Sequence, residues 1–237
     1  MAHLYAGTSG FAYTSWKPGF YPAKLAQAKF LPHYASRLNC VEVNYTFRTL
    51  PSTSTLTKWV QNTPEGFLFC PKAHMRITHI LKLREAAQFT EVFLKTVDPL
   101  RSARRIGPIL FQLPPTLKCD APVLRDYLAL LPSDLQYAFE FRHASWLNDE
   151  VYDLLRQKGA ALCVAESENL ETPEVLTAHF AYFRLRKPDY SPEDVTRIAA
   201  NAKSLLAQGR DLYVFFKHEE TPDGALNAEL LLKSASC

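Results

Sequence analysis

The feature that most constrains this chain is a rhythm. Eight short runs rich in β-branched and aromatic residues alternate with stretches whose apolar residues recur at helical spacing. The runs cover residues 4–8, 41–44, 67–72, 108–112, 136–141, 161–166, 179–184 and 212–217. Helical patterns occupy 24–38, 52–60, 84–97, 121–130, 149–158, 192–207 and 225–233, with Gly159 and Gly209 placed to stop two of them. Only the sixth and seventh runs lack a convincing helix between them. A right-handed βα unit takes about 30 residues, so eight in a chain of 237 predict an α/β fold, a (β/α)8 TIM-type barrel forming a single domain. A doubly wound open sheet would use the same alternation. Against it, Gly7-Thr8-Ser9-Gly10 after the first run is neither a dinucleotide fingerprint nor a P-loop.

Composition narrows the function classes. Hydrophobic residues at 47% and charged residues at 22% suffice for a large core. A net charge of +3 is too mild to demand nucleic acid, although a local basic patch is compatible with it. The five cysteines (Cys40, Cys70, Cys119, Cys163 and Cys237) are scattered and form no C-x-x-C pair, so neither a disulfide framework nor a zinc ribbon is expected. The N-terminal residues carry no basic leader or apolar h-region, and no apolar run reaches the ~18 residues that span a bilayer. A cytoplasmic protein without a membrane partner is the expectation, and no motif calls for a cofactor or a metal.

The polar residues at the strand ends carry the functional signal. Residues two apart share a strand face, and in such a barrel the inward face at the C-terminal ends holds the active site. Strand parity gives Glu42 and Asn44, Lys72 with Cys70, Gln112 with Leu110, Glu140 and Arg142, Glu166 with Leu162 and Val164, Arg184 with Tyr182, and Lys217 with Phe215. Buried charges need partners, so these side chains must converge on one another or on a ligand. Three carboxylates face four cations, and His79 and His143 stand just beyond strands three and five. The alternative is a salt-bridge network that merely pins the strand ends. The loop after the first strand adds Ser9, Phe11, Tyr13, Trp16, Phe20 and Tyr21, which would either stack a ligand ring or form a small core of their own.

Several of these segments identify a resemblance. Gly7-Thr8-Ser9-Gly10-Phe11, Trp16, Phe20-Tyr21-Pro22, Glu42-Val43-Asn44, Thr46-Phe47, Leu50-Pro51, Lys72, Thr78-His79, Phe111-Gln112-Leu113-Pro114-Pro115 and Glu140-Phe141-Arg142-His143-Ala144-Ser145-Trp146 resemble the bacterial and archaeal family called domain of unknown function 72, the YecE-like proteins. The resemblance runs over nearly the whole chain and implies a TIM-type barrel, but no reaction. The chain departs from the common pattern at Arg48-Thr49, at Leu185-Arg186-Lys187 and at Phe216-Lys217-His218-Glu219. The last two departures make the basic character stronger.

The chemistry expected first is an enzyme acting on, or a binder of, an anionic phosphorylated small molecule or nucleotide. Arg184, Arg186, Lys187, Lys217 and His218 fall after strands seven and eight, where such barrels usually hold phosphate. Lys72 and Arg142 add donors. Glu140 or Glu166 would act as general base, and His79 or His143 as acid. A metal-dependent hydrolase or nuclease using Glu42, Glu140, Glu166, His79, His143 and His218 is the alternative, and a non-catalytic nucleic-acid-binding module is another. Schiff-base chemistry at Lys72 or Lys217 is conceivable, with an ordinary ion-paired lysine as the preferred reading.

Overall fold

A computed structural model of the chain describes residues 2–166, 170–187, 189–217 and 220–235; His218 and Cys237, singled out above, lie outside these. Eight strands form at the expected places: β1 (Leu4–Thr8), β2 (Cys40–Val43), β3 (Leu68–Pro71), β4 (Ile109–Gln112), β5 (Tyr137–Glu140), β6 (Ala161–Ala165), β7 (Phe180–Leu185) and β8 (Asp211–Phe216). All pairings are parallel. Six strands make one sheet in the order β1-β8-β7-β6-β5-β4, and β2 pairs with β3 in a second sheet.

Two seams separate the sheets, and hydrogen bonds cross both. At the β1/β2 seam the Asn39 side-chain amide takes the place of a neighbouring strand. Its Oδ1 accepts from Ala6 N at 2.9 Å and its Nδ2 donates to Leu4 O at 2.8 Å. Tyr34 continues the zip, accepting from Thr8 N at 2.8 Å and donating to Cys40 O at 3.0 Å. Gly7 allows this approach, because a Cβ there would stand 2.1 Å from the Cys40 carbonyl oxygen. Farther along, Ser9 pairs with Glu42. At the β3/β4 seam, Phe69 pairs with Ile106 and Lys72 with Leu110.

The helices follow their caps. α3 (Thr53–Gln61) starts on Ser52, α5 (Ala121–Leu130) on Asp120 and α6 (Asp149–Lys158) on Asn148, each side chain accepting a backbone N–H of the first turn. α6 ends at Gly159 with φ 72°, and α7 (Pro192–Ala207) opens with a Ser191/Asp194 capping box. α4 (Ala87–Ser102) and α8 (Asp223–Ala235) complete the long helices among the described residues. Residues 170–179, before β7, contain no helix. None of the helices is long and apolar enough to cross a membrane among the described residues.

One helix is much shorter than its pattern. The spacing over 24–38 predicts a continuous helix, but α1 covers only Phe30–Ala35 after a short 3-10 turn. Pro32 would sit in the interior of the longer helix, where it has no N–H to donate, whereas it fits the first turn of α1. Two segments were not anticipated: α2 (Tyr45–Arg48), directly after β2, and a π-helical turn at Arg76–Ile80 after β3.

One apolar cluster lies against the strands and two more lie beneath the helices. Every strand sends side chains into the first cluster, from Tyr5 on β1 to Tyr213 and Phe215 on β8. Small residues on β5 and β6 (Ala138, Ala161, Cys163) complement aromatic ones on β7 and β8 (Phe180, Tyr182, Tyr213). On the opposite face, Leu162 packs in one outer cluster and Val164 against the other.

Candidate functional site

The last inward-facing position of each strand is where the polar side chains gather. Lys72 ends β3, with its backbone N donating to Val43 O at 3.2 Å and Ala73 N donating to Leu110 O at 2.8 Å. The strand end is therefore held from both sides. Lys72 Nζ donates to Gln112 Oε1 at 2.8 Å, and Gln112 Nε2 donates to Glu140 Oε1 at 2.9 Å. Arg184 NH1 donates to Glu140 Oε2, and Arg184 NH2 donates to Glu42 Oε1 at 2.7 Å. Ser9 Oγ donates to Glu42 Oε1 at 2.7 Å, and Tyr182 OH to Glu42 Oε2 at 2.9 Å. One hydrogen-bonded chain thus runs through β3, β4, β5, β7, β2 and the end of β1.

Arg184 is the keystone of this chain, buried at 1% exposure between two fully buried carboxylates. Burial alone would raise the Glu140 carboxyl, but Arg184 and Arg186 outweigh it and hold the group at about 2. Glu42 is likewise lowered against its burial by Arg184, with Ser9 and Lys72 helping. Both glutamates are therefore fixed anions. A carboxyl held at about 2 is a feeble proton acceptor near neutral pH, so the general-base role expected of Glu140 does not fit its surroundings.

Lys72 is the opposite case. It is 8% exposed, and among the described residues no carboxylate lies within ion-pairing distance of it. Its ammonium rests over the Phe47 ring, 4.2 Å from the centroid. Burial, followed by the Arg184 charge, lowers it to about 8, against the partial support of Glu42 and Glu140. The ordinary ion-paired lysine expected from the sequence is not what stands here.

His79 shares the Phe47 ring, meeting it edge-on at 5.0 Å between centroids. Its Nδ1 lies 2.9 Å from Thr78 Oγ1. It rides on the π-helical turn, after which Lys82, Leu83 and Glu85 take left-handed φ values of 52°, 68° and 48°. Such conformations cost of order 1 kcal/mol each in residues other than glycine. Buried Ile77, Leu83 and Ala86 anchor the strained loop in the outer core, so the position of His79 is imposed by packing. Burial first, then the charges of Lys72 and Arg142, hold the His79 ring below its usual 6.5. Arg142→Ala is expected to move the His79 titration upward in an NMR pH series; an unmoved midpoint would mean that the two groups do not feel each other.

Other expected residues land elsewhere. Glu166 faces outward, because the enclosed face of β6 is Ala161, Cys163 and Ala165 rather than Leu162 and Val164. Both parities of this strand are apolar, so the pattern could not choose between them. The exposed Glu166 carboxylate accepts from Arg186 N at 2.8 Å and Lys187 N at 3.1 Å, and from Tyr190 OH. It occupies the backbone donors that a phosphate after strand seven would need. Arg186 is engaged with Glu140, and Lys187 with Asp194. The expected phosphate site after β7 is therefore already filled by the chain's own carboxylates. Lys217 is exposed, with its backbone N donating to Leu185 O at 2.9 Å. Asn44 begins α2 and keeps a buried Oδ1 without a donor among the described residues.

The aromatic loop is a core of its own. Trp16 and Tyr21 are fully buried and Phe20 nearly so; Trp16 stacks on Tyr21 at 5.9 Å and tilts against Tyr13 at 4.9 Å. Tyr13 OH donates to Ser9 O at 2.8 Å, fastening the loop to the end of β1. Trp16 offers no surface to a ligand ring. His143 is a cap: its Nδ1 accepts from Ser145 N at 3.2 Å, which leaves the proton of the neutral ring on Nε2. Ser145 Oγ and Trp146 Nε1 bond Cys119 N and Leu117 O at 2.8 Å each, tying the β5 loop to the β4 loop. The Gln-Leu-Pro-Pro segment thus supplies one network residue, Gln112, while the Glu-x-Arg-His-x-Ser-Trp segment supplies Glu140 and a structural clasp onto Leu117 and Cys119. Sequence reasoning gave no site role to Phe47, to Thr46, whose buried Oγ1 donates to Lys72 O at 2.7 Å, or to Tyr182. Tyr182 was legible, standing two residues before Arg184 on the same face.

Comparison with known proteins bears on the whole arrangement. The model of a family described as "Protein of unknown function DUF72" matches residues 5–236. The UPF0759 protein YecE of Escherichia coli (strain K12) is 37% identical over 114 residues, which are 48% of this chain and 41% of that protein. The chain therefore matches less than half the length of that relative. The UPF0759 protein YunF of Bacillus subtilis (strain 168) is 24% identical over 97% of this chain and 94% of its own length. The crystal structure of a DUF72 family protein from Thermotoga maritima superposes with a TM-score of 0.89 at 27% identity, covering 99% of this chain and 100% of that one.

Proposed function

This chain belongs to the protein family of unknown function DUF72, which supplies no reaction, and we propose from its own geometry that it is an enzyme site for a small anionic molecule, a phosphate ester or nucleotide. The site would be the C-terminal mouth of one closed (β/α)8 barrel, a single domain. Closure is supported by the hydrogen bonds across both seams and by Arg184 and Tyr182 of β7 reaching Glu42 of β2.

The observation that carries the reading is a pair of cations, Lys72 and Arg142, that both act on His79 and that, among the described residues, have no carboxylate within ion-pairing distance. Lys72 is buried without an ion pair and Arg142 is exposed beside the same histidine, an arrangement suited to an anion seated between the two. On this reading the anion would sit on the β3/β5 side of the mouth rather than after β7 and β8. Asn44 Oδ1 adds a buried acceptor suited to a ligand hydroxyl. Proton transfer would fall to Lys72, lowered to about 8, and to His79, lowered by its burial and by the charges of Lys72 and Arg142, in place of the clamped Glu140. The metal-dependent alternative loses its two central ligands, since Glu42 and Glu140 are both claimed by arginine.

Titration calorimetry with inorganic phosphate and pyrophosphate tests the reading. Arg142→Ala and Lys72→Met are each expected to weaken binding roughly tenfold or more, the usual loss for a charge-assisted hydrogen bond. Lys187→Ala, at the outer β7 loop, is expected to change it less than about threefold. Equal affinities across the three variants would remove the proposal.

A further inference from the structure

We propose that Lys72 is an imine-forming amine, which condenses with the carbonyl group of small aldehydes or ketones that also carry an anionic group. The anionic preference rests on the reading above; the amine chemistry stands on the surroundings of Lys72 alone.

Three observations support it. First, Lys72 is held by a neutral amide. Gln112 Oε1 accepts from Nζ at 2.8 Å, and it can do so whether Nζ is an ammonium or an amine, whereas a carboxylate would favour the ammonium. Gln112 cannot turn away, because its Nε2 is bound to Glu140 at 2.9 Å. It is a positioning residue. Second, Lys72 is buried, with Nζ 4.2 Å from the centroid of the Phe47 ring, so little water surrounds the group. Third, burial and then the Arg184 charge press the amine towards neutrality; Glu42 and Glu140 resist, and Arg186 adds a smaller push in the same direction as Arg184. His79, against the same ring, stands where a proton can be taken up or returned.

The reaction balances without a co-reactant. Lys72 first gives one proton to solvent or to His79. The Nζ lone pair then forms a C–N bond to the carbonyl carbon while the C=O π electrons move to oxygen. One nitrogen proton and the proton lost at the start pass to that oxygen, the C–O bond breaks and water leaves. The product is a protonated imine. In sum, an ammonium and a carbonyl give an iminium and water.

Sodium borohydride trapping tests this with two probes, glyoxylate and the uncharged aldehyde propanal, and peptide mass mapping locates the secondary amine that hydride delivery to the iminium carbon produces. At pH 8 an amine titrating at about 8 is about half neutral, while an ordinary lysine is below roughly 1% neutral. After allowing for the weaker nucleophilicity of a less basic amine, Lys72 is expected to be labelled by glyoxylate about tenfold faster than the exposed Lys24, Lys29 and Lys58. Its labelling should level off above about pH 9, where theirs still climbs. Wild-type mapping needs no variant, and Lys72→Arg is expected to remove the fast label. Lys72 labelled no faster than the surface lysines overturns the proposal. Fast labelling by both aldehydes alike, with no protection by phosphate, upholds the amine and overturns the anionic preference with the anion site behind it.

Discussion

Replacing Arg184 by alanine is expected to lower the unfolding free energy by about 3–5 kcal/mol, the usual penalty for stranding a buried charge. Two are stranded here. Glu42 and Glu140, both fully buried, take their main compensation from the one guanidinium, and without it they face each other across the strand ends. In a chain of this size the midpoint of thermal unfolding should fall by roughly 10 °C. The pH dependence identifies the cause. Glu140 is held at about 2 against an ordinary 4.5, so the network contributes stability that is present above about pH 4.5 and lost as the pH falls through about 2. In the variant the same carboxyls keep their burial and lose the cation, so they take up protons readily. The gap between wild type and variant should therefore be widest near pH 7 and narrow below about pH 5. A gap of less than about 1 kcal/mol at pH 7, or one that widens in acid, would show that the carboxylates are not desolvated as described. Replacing Arg184, Glu42 and Glu140 together by Met, Gln and Gln should cost less than the single change, because neither glutamate position then carries a stranded buried charge.

Trp16→Ala should cost about as much, for an unrelated reason. The indole is fully buried among Tyr13, Phe20 and Tyr21, and large aromatic truncations in such cores cost about 3–5 kcal/mol. Its Nε1 has no acceptor among the described residues. Trp16→Phe removes that unsatisfied donor along with some volume, so it is expected to be far milder than alanine. Phosphate affinity, measured on the folded fraction, should stay within about twofold in both variants. A tenfold loss of affinity with little change in melting temperature would restore the loop as a ligand platform.

The boundary between what was legible and what was not runs through particular residues. Pro122, Pro192, Asn148 and Gly159 mark the limits of α5, α7 and α6, and the predicted spans 121–130, 192–207 and 149–158 coincide with these helices. Caps and prolines act within one turn of chain, so local sequence suffices to read them. Strand parity likewise placed Glu42, Lys72, Gln112, Glu140 and Arg184 on one face. It failed for Glu166, where Leu162 and Cys163 are equally apolar and only the packing of helices outside and aromatics inside selects the face.

The sequence by itself determined the eight strands, their order of use and the polar residues that close them, because hydrophobic periodicity and turn chemistry are properties of neighbours along the chain. Tertiary structure alone decided how the charges are shared out. Arg184 could have served either glutamate or a ligand, and it serves both glutamates. Arg186, read as a phosphate donor, and Glu166, read as a general base, are spent on the chain itself. Lys72, read as an ion-paired lysine, is left with an amide and an aromatic ring. Pairing depends on distance and burial across residues as far apart as 42 and 184, and no spacing along the chain encodes which cation is left over.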